Sequence, residues 1–92
     1  MRILVARFRD AAELAVQLRA ELPYGGLLVP TRALLSPGEP VIVDVRLPHL
    51  RDHLLLRGLV AWVQGARRGE QRAAAAIEFL ATEGRRRAHL ER

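Results

Sequence analysis

The sequence predicts a mainly β domain with a helix near each end, and three observations predict it. Residues Val41 to Leu47 alternate, with Val41, Val43, Val45 and Leu47 on one side and Ile42, Asp44 and Arg46 on the other, as a half-buried strand requires. Leu54 to Gln64 is a second, longer strand pattern, with Leu54, Leu56, Gly58, Val60 and Trp62 on one face. Between and around these runs stand Pro23, Gly25, Gly26, Pro30, Pro37, Gly38, Pro40 and Pro48, which punctuate the chain at intervals too short for long helices. A chain of 92 residues, half of them hydrophobic, suits one domain with one core, here residues 1–92.

The elements follow in order. Arg2 to Phe8 is apolar and β-branched enough for a strand. Asp10 with Glu13 three residues later matches a capping box, and Ala11, Leu14, Ala15, Leu18 and Leu22 recur at helical spacing, which predicts a helix from Asp10/Ala11 to Glu21 ended by Pro23. Gly25-Gly26 supplies a turn, and Leu27 to Val29 a short strand limited by Pro30. Leu34 to Pro40 is a loop built around Pro37-Gly38, and His49 to Asp52 is a polar connection. Residues 65–72 form a basic loop. The following segment reads two ways: Ala73 to Ala76 favours one helix over residues 69–90, whereas Ile77-Glu78-Phe79 alternates like a strand. Thr82 is a candidate N-cap for a helix to Leu90.

Composition narrows the function. Without Cys there is no disulfide framework, thiolate metal site or cysteine nucleophile. No apolar run approaches the ~20 residues of a membrane span, and Arg7, Arg9 and Asp10 cut the N-terminal apolar stretch short of a signal core, so the expected location is the cytoplasm. The net charge is +5, carried by fifteen Arg and no Lys. Residues 1–64 hold eight Arg against six acids, a net of +2; residues 65–92 hold seven against four, a net of +3. The dense spots are Arg67, Arg68 and Arg72, then Arg85 to Arg87. They could meet an anionic partner, but the chain lacks interleaved aromatics, helix-turn-helix spacing or an RNA-binding signature, so nucleic acid is a minor alternative. His49 and His53 at i, i+4 have no third ligand nearby and read as solvated loop residues. Ser36 lies in a Pro-Gly turn with no His in context. No catalytic constellation is evident, and neither metal nor cofactor is expected.

Four segments in this order resemble the PilZ domain family: Leu22-Pro23-Tyr24-Gly25-Gly26-Leu27-Leu28-Val29-Pro30-Thr31, Pro37-Gly38-Glu39-Pro40-Val41, Leu56-Arg57-Gly58-Leu59-Val60-Ala61-Trp62-Val63 and Ala76-Ile77-Glu78-Phe79. The resemblance covers nearly the whole chain and is closest to a branch, common in myxobacteria, with a short helix between the first two strands. It implies a small six-stranded antiparallel β-barrel with an inserted N-terminal helix and a C-terminal helix, in which Ala75 to Leu80 is a strand. The core would include Leu27, Val29, Val43, Val45, Leu56, Val60, Ile77 and Phe79.

Many PilZ domains are receptors for cyclic di-GMP, gripped by an N-terminal R-x-x-x-R segment and a D/N-x-S-x-x-G on the barrel. A doubly anionic ligand with planar bases wants bidentate, stacking Arg. This sequence departs from both motifs. No room precedes the first strand for R-x-x-x-R, and the positions matching the second motif are Glu21, Pro23 and Gly26, of which only the glycine agrees. The resemblance therefore implies a regulatory or adaptor domain of bacterial signalling or motility that has lost cyclic di-GMP and works by protein contact. The alternative is a receptor using other arginines, Arg7, Arg9 and Arg32. The expected interface is the second face of the long strand, Leu55, Arg57, Leu59 and Val63, with Arg67 and Arg68 beside it, since a core strand needs only one apolar face. A protein partner or a second copy of the chain would cover it.

Overall fold

In the computed structural model, residues 1–48, 54–65 and 73–84 are described. The elements are β1 (Arg2–Arg7), α1 (Ala11–Gln17), β2 (Gly26–Pro30), β3 (Pro40–Arg46), β4 (Leu54–Gln64), β5 (Ala74–Phe79) and a 3-10 turn (Ala81–Glu83). The strands form one sheet in the order β1-β3-β4-β5-β2, curled into a half-barrel. The eight residues expected in the core are all there, each no more than 2% exposed. Leu4, Ala6, Phe8, Leu14, Val41, Leu47 and Ala75 complete it.

The curl originates on β4. Its ladder to β3 runs over Leu54 to Leu59 and its ladder to β5 over Gly58 to Gln64, so the two overlap only at Gly58 and Leu59. Strands displaced this far along a shared neighbour tilt and close on themselves, as in barrels. Gly58 permits the tight overlap: a Cβ there would lie 2.5 Å from the Glu78 carbonyl oxygen and 2.6 Å from Ile77 Cγ2. Gly38, at φ 88°, turns the loop before β3, and its N–H donates to the Val60 carbonyl at 2.7 Å while Val60 N–H donates to Glu39 O at 2.9 Å.

Several expectations are corrected. The sheet is not antiparallel throughout: β1 runs parallel to β3, with Leu4 beside Val43 and Ala6 beside Val45. Parallel neighbours need a crossover rather than a hairpin, and α1 with β2 provides it. Among the described residues five strands are found, and there no ladder joins edge strands β1 and β2. Residues 8–25 connect those opposite edges, and Leu14 of α1 plugs the core between them, 2% exposed.

α1 stops at Gln17, not Glu21. Leu18 is already extended (φ −70°, ψ 140°) and bridges Leu27, and Arg19 N–H donates to Gly26 O at 2.8 Å. The edge of β2 takes up these backbone groups, outweighing another turn of helix. The Arg19 guanidinium then caps the helix end, donating to the carbonyls of Val16 (2.9 Å) and Leu18 (3.2 Å). At the other end Asp10 is the N-cap, its Oδ1 accepting from Glu13 N–H at 2.8 Å. Glu13 does not complete the box; its carboxylate turns to Arg9 instead.

Ala74 to Phe79 is a strand, against the helix propensity of its alanines. Ala74, Ala75 and Ala76 are all buried and pair with β2 on one side and β4 on the other. Two flanking ladders outweigh a preference of only tenths of a kcal/mol per residue. Thr82 is not an N-cap but lies within the 3-10 turn that Leu80 caps. The expected helix beyond Gly84, like the loops around His49 and Arg67, falls outside the described residues.

Replacing Gly58 by Ala is expected to cost about 1–3 kcal/mol in urea denaturation, because backbone and a β-branched core side chain must both give way. Gly65→Ala, where a Cβ meets nothing within 4 Å, is expected to stay within about 0.5 kcal/mol.

Candidate functional site

Two surfaces concentrate the exposed chemistry. The first is the outer face of the sheet. Cross-strand partners share a face, so the register places Ile3 beside Ile42 and Arg57, Val5 beside Asp44 and Leu55, and Leu59 beside Glu78. Ile3, Val5, Leu55 and Leu59 are 62%, 43%, 47% and 38% exposed. Of the expected interface residues, Leu55, Arg57 and Leu59 are therefore on this face.

Val63 is not, and Trp62 is. The ladder skips a residue between Val60, opposite Ile77, and Trp62, opposite Ala76. One extra residue in a period-two element inverts every following side chain. Trp62, expected on the same face as Leu56 and Val60, joins the outer face and is exposed; Val63 shares its side with the core residue Ala75 but stays exposed near the end of β4. Nothing local in Val60-Ala61-Trp62 signals the bulge.

Arg57 is not a free cation on this face. Its Nε donates to Glu83 Oε1 at 2.7 Å, and its backbone N–H donates to the same oxygen at 3.3 Å. β5 ends at Phe79, Leu80 N–H takes the Arg57 carbonyl at 3.1 Å, and the buried Glu83 carboxylate continues the ladder where backbone no longer can. Asp44 is likewise nearly buried and accepts from Arg46 Nε (3.2 Å) and Nη2 (3.0 Å). Sequence reasoning missed Glu83 entirely. The Asp44/Arg46 pair was legible, since residues two apart on a strand share a face.

The second surface is a cleft of about 220 Å³ at the seam where the end of β1 comes against the end of β2. Arg7 and Phe8 line one wall and Glu13 and Gln17 of α1 another. Leu28 and Pro30 of β2, with Ala74 and Gln64, form the floor. Arg9 holds the Glu13 carboxylate at 2.7 Å. That hydrogen bond, then the Coulombic pull of Glu13 and of Asp10, raises the already high Arg9 pKa, so the guanidinium stays charged.

The remaining candidate ligand residues are not brought together. Gly26 opens β2, whereas the cleft with Arg7 is at the Pro30 end, roughly 13 Å along the strand. Glu21 and Pro23 lie in the exposed turn before Gly26, with Glu21 3.9 Å from Arg19. Arg32 is exposed beyond β2. Gly26 is not a turn glycine: positive φ falls on Gly25, and Gly26 is needed because a Cβ would strike Leu22 and the Ile77 carbonyl. Arg67 and Arg68 lie outside the described residues. Among the described residues no cluster of His, Asp or Glu could hold a metal, and no helix is long and apolar enough to cross a membrane. Compared with known proteins, the chain matches no family model and no curated sequence.

Arg57→Ala is expected to cost about 3 kcal/mol in thermal or urea unfolding, because it removes a counter-ion from a buried carboxylate. Glu83→Gln, which keeps an acceptor for the Arg57 N–H, is expected to cost about half of that.

Proposed function

We propose that this chain is a non-catalytic, PilZ-like regulatory or adaptor domain that works by protein contact and does not bind cyclic di-GMP. The observation that carries the reading is the outer face, where Ile3, Val5, Leu55, Leu59 and Trp62 are exposed on one side of one sheet. Contiguous apolar surface on a small domain tends to mark an interaction site. Trp62 adds the residue type most enriched in interface hot spots. The pair Arg57–Glu83 holds the middle of this face in place without covering it.

Two facts weigh against a cyclic di-GMP receptor. The motif remnants Glu21, Pro23 and Gly26 stand at the far end of β2 from Arg7, and a cleft of about 220 Å³ is below the roughly 300–1,000 Å³ of sites for drug-sized ligands. Each charge-assisted hydrogen bond lost is worth ~1.5–3 kcal/mol, so two losses weaken affinity about a hundredfold or more.

Calorimetric titration with cyclic di-GMP is expected to show no binding at micromolar concentration; a low-micromolar dissociation constant sinks the reading. The protein-contact half is tested by Leu55→Asp with Leu59→Asp. Both side chains are exposed, so the double variant is expected to fold, with mass in solution or partner recovery changed. If it folds and neither changes, the interface is elsewhere; if it unfolds, the face is part of the core.

A further inference from the structure

We propose that the seam cleft receives an acidic side chain of the partner that lies on the outer face. This rests on the protein-contact reading and names the chemistry of what enters. Of the seven arginines among the described residues, Arg2, Arg9, Arg19, Arg46 and Arg57 each face a carboxylate within 4 Å. Arg7 and Arg32 hold none among the described residues, and of these two Arg7 lines a cavity. Among the described residues the only acid in that lining is Glu13, and its carboxylate is already engaged by Arg9. Among the described residues the charge left over in the cleft is that of Arg7, and a guanidinium fork is the donor best matched to a carboxylate.

Shape and position agree with this. Phe8, Leu28 and Pro30 give the cleft an apolar lining, which suits a methylene stem, while Gln17 adds an amide. The cavity holds a side chain but not a folded element. It is also continuous with the outer face. Trp62, Ala76 and Leu28 form one cross-strand row, and the next row is Gln64, Ala74 and Pro30, which is cleft floor. A segment packed over Trp62 thus reaches Arg7 by extending one side chain past Leu28.

The test titrates the isotope-labelled chain with N-acetylglutamate amide and, separately, with its neutral isostere N-acetylglutamine amide, following backbone amides by NMR. Saturable shifts are expected at Phe8, Gln17 and Gln64 with the glutamate probe, with a dissociation constant on the order of 1–10 mM for so small a contact. They should weaken with added salt, fall at least about tenfold in Arg7→Gln and be absent with the glutamine probe. Equal response to both probes, no saturable response, or an undiminished response in Arg7→Gln overturns the proposal. Arg7→Gln should leave the unfolding curve unchanged, because the Arg7 side chain is exposed. Loss of the glutamate response with an intact Leu55/Leu59 phenotype rejects the cleft alone. A retained response with no Leu55/Leu59 phenotype rejects the outer-face reading instead.

Discussion

Two ladders offset along one strand set the shape of this molecule. β4 gives its first half to β3 and its second half to β5, and the halves meet at Gly58 and Leu59. Closing a sheet on itself requires strands that tilt with such a stagger, and this displacement supplies it. The curl brings the edge strands β1 and β2 within reach of the short segment that connects them, with Leu14 filling the space between. The seam cleft is what remains where those edges approach without a ladder. The absent side chain at Gly58 is therefore a condition for the core, the helix and the cleft together.

The positive charge has a different meaning in the fold than in the composition. A net of +5 without Lys invites a search for anionic partners. Yet most of the described arginines hold parts of the chain together: Arg2 ties the start of β1 to Leu34 and Glu39, Arg19 closes α1, Arg46 covers Asp44, and Arg57 anchors Glu83. Exposed pairs such as Arg9 with Glu13 contribute little stability each. Arg57 with Glu83 differs because the carboxylate is buried and also serves as a backbone acceptor. What remains for recognition, among the described residues, is small in number and local, beside the exposed apolar side chains of the outer face.

The candidate surface was half legible in the sequence. Leu55 and Leu59 could be assigned because one face of β4 sufficed for the core and the other was apolar too. Ile3 and Val5 could not, because their face depends on pairing with a strand more than thirty residues away. Trp62 was assigned to the wrong side, and its neighbour Val63 with it. The Gly26 of the motif remnant was visible in sequence, but its reason for being glycine, the Ile77 carbonyl of β5, was not.

The sequence by itself determined strands β3 and β4 and their core faces as far as Val60, because alternation with period two and the Pro and Gly between runs are local properties. It also determined where α1 begins, through Asp10 and Glu13. Only the tertiary structure decided the rest. Whether Ala74 to Ala76 extends or coils turned on the two ladders that flank it. Where α1 ends turned on the bridge from Leu18 to Leu27. Whether β1 lies parallel to β3 turned on the crossover through α1 and β2. The side on which Trp62 emerges turned on one unpaired residue in a ladder. Each is fixed by hydrogen bonds between segments distant in sequence, and backbone pairing leaves no mark in the side chains of one segment read alone.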